Sequence, residues 1–177
     1  MIKKLLLLLL LCVVAVAAYA TTQPDTFSLE RRAQINAPPE KVFAQLNDFH
    51  AWEAWSPWAK LDPAMKTVYS GAPAGTGAVY EWTGNSDVGS GRMEITSATP
   101  AQAVDIKLDF LEPFESHNVT HFVLTPNGTG TDVRWVMEGP ATYMTKVMTT
   151  FTSMDKMVGP DFEKGLAQLK AVAEKAP

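Results

Sequence analysis

The sequence predicts an α+β fold in which a curved antiparallel sheet closes around one long C-terminal helix, and three features carry that expectation. Between residues 66 and 138 apolar and polar side chains alternate with a period of two, interrupted by the turn-forming stretches SGAPAGTG, TGNSDVGSG, ATPAQ, LEPFES and TPNGTG. After Gly139-Pro140 the apolar spacing lengthens to three and four, which is helical. Ahead of the alternating region, one strand-like segment is followed by a proline- and tryptophan-rich stretch suited to short helices.

The first element is MIKKLLLLLLLCVVAVAAYA, two lysines followed by an apolar run and ending Ala18-Tyr19-Ala20. Small-x-small spacing after such a run is the pattern of a secretory signal cleaved after Ala20. The run from Leu5 to Ala20 is also just short of the roughly 17 residues that span a bilayer, so an uncleaved N-terminal membrane anchor is the second reading of residues 1–20. Both put the rest of the chain across the cytoplasmic membrane, periplasmic or anchored to the inner membrane facing outward. Residues 21–26 form a linker, and 27–177 a single domain.

FSLERRAQI, residues 27–35, alternates as a strand with Phe27, Leu29, Arg31, Ala33 and Ile35 on one face. NAPPEKVFAQLND predicts a helix entered through Asn36 and the Pro38-Pro39 pair, with Val42, Phe43 and Leu46 inward. FHAWEAW continues as a helical turn until Pro57 stops it. Strands are expected at 66–70, 77–83, 91–98, 103–112, 116–125 and 131–138. The final helix presents Met144, Val147, Met148 and Phe151, then Met154, Val158, Phe162, Leu166, Leu169 and Val172, on one face, with a kink or restart at Gly159-Pro160.

Charge and composition narrow the function. Lys3 and Lys4 account for two of the 15 basic residues and no acid precedes residue 21, so the remainder carries 13 basic against 19 acidic side chains, a net charge of −6. Nucleic acid is excluded as a partner on that balance. The one cysteine, Cys12, lies in the leader, which leaves the domain without thiol or disulfide chemistry.

INAPPEKVFAQLNDFHAWEAWSPW, GNSDVGSGRM and MDKMVGPDFEKGLAQLK, in this order and at these separations, resemble the polyketide cyclase/dehydrase-like branch of the START-like (SRPBCC) superfamily, whose helix-grip fold is shared with the birch-pollen-allergen type of lipid carrier. The resemblance covers Phe27 to about Ala173. It implies a START-like ligand-binding domain: about seven strands gripping the last helix, two short helices after the first strand, and a deep apolar cavity for a hydrophobic ligand. It carries over no catalytic residue, and fold alone does not choose among carriers, cyclases and sensors.

Strand parity sorts the side chains. Tyr80 and Trp82, Met93 and Ile95, then Ile106, Leu108 and Phe110, then Trp135 and Met137 each share a face opposite charged neighbours. On 116–125 the face of Phe122 and Leu124 is taken as inward, which leaves His117 and His121 outside. With Met154, Phe162 and Leu166 of the last helix these residues are the expected cavity lining. They either enclose a void or meet in a solid core. Trp52, Trp55 and Trp58, clustered in WEAWSPW, either wall the entrance with half-wet rings or plug one end of the core. Arg31 shares the inward parity and is read as a rim residue, either for an anionic head group or for a salt bridge.

Other chemistry finds little support. His117 and His121 are four residues apart on a strand, about 13 Å at ~3.3 Å per residue, too far to share a metal ion. His50 and Glu53 are spaced as a helical pair that reads as a solvated surface contact. The methionines read as adaptable apolar lining and not as a copper site. No metal and no cofactor are expected. The expected partner is a hydrophobic small molecule or lipid, with the membrane added if residues 1–20 are kept. A cyclase- or dehydratase-like enzyme using the same cavity, and a membrane-tethered interaction module with a filled core, are the alternative functions.

Overall fold

A computed structural model describes residues 2–175; the outermost bounds of the expected leader and domain, Met1 and Pro177, lie outside the described residues. Helix α1 (Ile2–Ala20) precedes strand β1 (Thr26–Ile35), helix α2 (Pro39–Leu46) and a 3₁₀ turn at Phe49–Ala54. Six strands follow: β2 (Lys66–Gly71), β3 (Ala78–Thr83), β4 (Ser90–Thr99), β5 (Ala103–Glu112), β6 (Ser116–Asn127) and β7 (Gly130–Pro140). Helices α3 (Tyr143–Thr149) and α4 (Met154–Ala173) end the chain. The seven strands form one antiparallel sheet in the order β1-β7-β6-β5-β4-β3-β2. This is the α+β helix-grip architecture.

The meander follows from its turns: each break between strands carries glycine, proline or asparagine, and Gly75, Gly77, Gly89 and Gly128 take positive φ there. β1 then crosses to pair with the last strand, Thr26 opposite Pro140 and Ile35 opposite Thr131. The crossing is held by α4, which runs parallel to β1 over its inner surface. Arg31 Nη1 meets Asp155 Oδ1 at 2.7 Å and Arg31 Nε meets Glu163 Oε1 at 2.8 Å, while Lys170 Nζ donates to the Gln34 carbonyl oxygen at 2.8 Å. The hydrogen bond from Arg31 holds the Asp155 carboxyl below its ordinary range.

The helical segment after Pro140 differs from expectation in one respect. The interruption falls at Thr150–Ser153, where the Ser153 hydroxyl accepts from the Lys156 backbone N–H and starts a new helix, and α4 continues through Gly159 and Pro160. Pro160 and Lys156 are both exposed, so water can satisfy the Lys156 carbonyl that the proline leaves without a donor. Glycine at 159 lets α4 lie close to β1, because a Cβ there would stand 2.2 Å from Arg31 Nη2.

WEAWSPW is folded inward. The α2 carbonyls of Gln45 and Leu46, which the helix itself cannot satisfy, accept the indole N–H groups of Trp55 and Trp52, each at 3.1 Å. Trp55 then packs edge-on against Phe122 and Trp135, with centroids 6.1 and 5.9 Å away. At 1 % exposure it is a core residue. Replacing Trp55 with alanine should cost about 3–5 kcal/mol in urea unfolding. Trp55→Phe, which restores part of the ring volume but not the bond to Gln45, should cost clearly less. Equal losses for the two variants would show that packing does not dominate at this position.

Candidate functional site

The strand register arranges the inward side chains in rows across the sheet. Trp82, Gly91 and Phe110 make one row; Tyr80, Met93, Leu108 and Asn118 make the next; Ile95, Ile106, Thr120 and Met137 follow; then Val104, Phe122 and Trp135. The first rows lie at the end of the sheet where β1 begins and β7 finishes. Beyond the fourth row, where β1 ends, the sheet is covered by α2, the tryptophan segment and the last turns of α4, and Ile35, Leu46, Val133 and Leu169 are buried there. Between the first rows and the start of α4 lies a cavity of about 760 Å³.

Of the residues expected to line it, Tyr80, Trp82, Met93, Leu108, Phe110, Trp135, Met137, Met154 and Phe162 border the cavity, and of the expected rim so do Trp52 and Trp58. Ile95, Ile106, Phe122 and Leu166 do not, which corrects the expectation. Parity placed them on the correct face, but they are buried deeper in the core, and Trp52 and Trp55 pack edge-on over Phe122. Trp55 likewise belongs to the core and not to the rim. For Arg31 the salt-bridge alternative holds and the rim position does not: it faces inward beneath α4, where Asp155 and Glu163 take its guanidinium, and it does not border this cavity.

The cavity is apolar in its centre and polar along one strand. Ser116, Asn118 and Thr120 follow one another on the inner face of β6, with Asn118 Nδ2 donating to Ser116 Oγ at 2.9 Å. On the far side Tyr80 stacks near Trp82 and Phe49, and burial pushes its phenol up to about 12. Glycine at 91 admits the Trp82 ring over β4, since a Cβ would stand 2.4 Å from it, and the Trp82 indole donates to the Val88 carbonyl at 3.0 Å. The acids lie at the rim: Glu53, Asp62, Asp87, Glu112 and Asp161. Asp62 is occupied in the fold, accepting from the Ala64 and Asn85 backbone N–H groups at 2.9 and 2.7 Å.

Sequence reasoning missed Phe27, Met65 and Val158 as lining. Phe27 shares the parity of Leu29 and Val158 that of Phe162, so both were within reach of the pattern. Met65 sits in an irregular loop that carries no periodicity. His50 pairs with Asp48 at 2.9 Å and stacks on Tyr69, not on Glu53. His117 and His121 lie on the outer face against Asp109 and Asp105, each at 2.7 Å. Among the described residues no three His, Cys, Asp or Glu side chains gather as metal ligands.

Residues 26–174 match the family described as polyketide cyclase / dehydrase and lipid transport. Solved structures share the fold at low identity. A protein of Mesorhizobium loti is 21 % identical, with 85 % of this chain and 99 % of that one covered and a TM-score of 0.60. Ara h 8.0201 is 15 % identical over 84 % of this chain and 95 % of its own, with a TM-score of 0.55. The di-domain ARO/CYC StfQ of the steffimycin biosynthetic pathway is 15 % identical, with 85 % of this chain and 51 % of that one covered and a TM-score of 0.62. Comparison with curated proteins returned no match.

Tyr80 offers a direct readout of the site's dryness. Phenolate absorbance should contain a late step near pH 12 that Tyr80→Phe removes. A raised folded pKa means that the unfolded chain ionises first. The wild type should therefore lose stability relative to Tyr80→Phe as pH climbs from about 10 towards the folded value. A Tyr80 step at the ordinary tyrosine value would mean that water fills this part of the cavity freely.

Proposed function

Since the chain belongs to the polyketide cyclase/dehydrase and lipid transport family, we propose that it is an exported or membrane-anchored binding protein that holds a hydrophobic small molecule or lipid between the sheet and α4. The observation that carries this reading is the cavity of about 760 Å³ lined by Tyr80, Trp82, Met93, Leu108, Phe110 and Met137, within the usual size range of small-molecule sites. Flexible thioethers beside rigid aromatic rings suit a ligand whose shape varies. The polar strip of Ser116, Asn118 and Thr120 suits one hydroxyl or carbonyl group on an otherwise apolar body.

Two features favour binding over a cyclase- or dehydratase-like reaction. Acid–base catalysis needs ionisable groups within hydrogen-bond reach of each other and of the substrate. Among the described residues, the lining carboxylates Glu53, Asp87, Glu112 and Asp161 form no ion pair with Lys60, and the two tyrosines on the wall, Tyr69 and Tyr80, are both made harder to ionise by burial. The size of the cavity weighs against an interaction module with a filled core.

Helix α1 supplies the export or anchoring part of the reading. It is 19 residues long and, by length and composition, apolar enough to cross a membrane. Lys3 and Lys4 suit the cytoplasmic side.

The reading is tested by titrating the full chain with anilinonaphthalene sulfonate and displacing it with long-chain fatty acids, alcohols and polycyclic aromatics. The probe should bind, and at least one class should displace it. Met93→Trp with Leu108→Trp, which fills the middle row, should weaken probe binding by about tenfold or more, 1.4 kcal/mol, while the protein stays folded. Unchanged binding in a folded double variant would remove the cavity from consideration as the site.

A further inference from the structure

The predicted inner face of α3 is not buried. Tyr143, Met144 and Met148 are exposed, and Phe151, in the turn that follows, is 75 % exposed. Exposed aromatic and thioether side chains gathered on one short segment are more than the scatter expected on a soluble surface. Pro140–Met154 contains Lys146 and no acidic residue, although residues 21–177 carry a net charge of −6. Thr145, within this segment, and Met154, at its end, border the cavity, as does Pro113, whose neighbour Phe114 is exposed.

The chain path says what lies against this surface. The rows nearest the mouth are at the end of the sheet where Thr26 pairs with Pro140, so the mouth is at the end where β1 begins. Residues 21–25 join α1 to that point, and so short a link reaches only about 20 Å. The end of α1 also rests on the body: Ala20 is fully buried, α1 packs against α3, Lys146 pairs with Asp25, and the Ala141 N–H donates to the Asp25 carbonyl at 2.8 Å. An anchored α1 therefore brings the α3 surface, and the mouth beside it, to the membrane.

Resting on the anchored form of the function proposed above, we propose that the α3 segment lies on the bilayer and that the cavity opens onto lipid, so that the ligand enters from the membrane and not from the aqueous phase. Methionine, phenylalanine and tyrosine side chains enter the interface, and the absence of acidic residues from Pro140 to Met154 removes a source of repulsion from anionic head groups. The far end of the sheet, with the β6–β7 turn at Asn127 and Gly128, points away from the membrane.

The test uses the full chain carrying Cys12→Ala and one new cysteine, at Met148→Cys, Phe151→Cys or Asn127→Cys. Each is labelled with bimane and reconstituted in phosphatidylethanolamine–phosphatidylglycerol vesicles. Spin-labelled lipid should quench the probes at 148 and 151 roughly threefold or more beyond the probe at 127, with blue-shifted emission. Equal quenching at the three positions overturns the proposal. So does energy transfer between labels at 151 that persists on dilution in lipid without lipid quenching, which would assign the face to a second copy of the chain. Binding of anilinonaphthalene sulfonate by the same samples separates the two readings. Probe binding with residue 151 in water defeats the bilayer contact alone, and quenching at 151 without probe binding supports the bilayer contact while defeating the cavity reading alone.

Discussion

Trp135 stacked on Phe162, with centroids 4.0 Å apart and planes 22° from parallel, is the contact at which the sheet and the last helix meet. On one side of it α4 descends onto β1 through Leu166, Leu169 and Ala173, and the interior is closed. On the other side α4 stays beside β1 through Arg31, Asp155 and Gly159 but leaves the inner face of β3 to β6 uncovered, and the space there is the cavity. Trp55 and Trp58 set their edges against the same Trp135 ring, so four aromatic groups fix how far apart the two layers stand. The arrangement has a cost: the Trp135 Nε1 is buried with no hydrogen-bond partner among the described residues. An unpaired buried donor is tolerated where packing holds the group in place.

That contact also explains which parts of the structure could be read from the sequence. Strand limits were legible to within a residue or two because glycine, proline and asparagine punctuate each turn, and facing was legible because the period is two. Depth was not. Tyr80 and Ile95 share a parity with Met93 and Ile106, yet only Tyr80 and Met93 border the cavity, since which row is covered depends on where the tryptophan segment lands. A bulge between Ile95 and Ser97 adds to this, because it turns both Ile95 and Ala98 inward within one strand. Arg31 shows the same limit: parity pointed it inward correctly, but its partners are 124 and 132 residues away on another element.

The helical face from Met144 to Phe151 failed for a different reason. Periodicity reports that a segment has an apolar side and not what covers it. In a water-soluble domain the default cover is the core, and along α4 that default holds. Along α3 the apolar side faces outward beside an equally apolar α1. The break at Ser153 separates the two cases: a continuous helix would have carried one face past both layers, whereas the new cap lets α3 and α4 present their apolar sides to different surroundings.

An enclosed apolar void of this size would be hard to sustain, because each unfilled volume forfeits contacts that folding needs. This one is open at the mouth and carries Ser116, Asn118, Thr120 and a ring of carboxylates that water can solvate, so the empty form has a route to stability. A ligand that replaces that water with contact to Met93, Leu108 and Phe110 stabilises the folded state by mass action. The gain is largest for a molecule that keeps a polar group on β6 and places its apolar body against the middle rows. Such molecules are amphiphiles, which partition into membranes and are scarce in free solution. On the proposed anchored reading, a cavity with this lining would be supplied best where its mouth meets a bilayer, and the short link from α1 to β1 would join the chemistry of the site to its position.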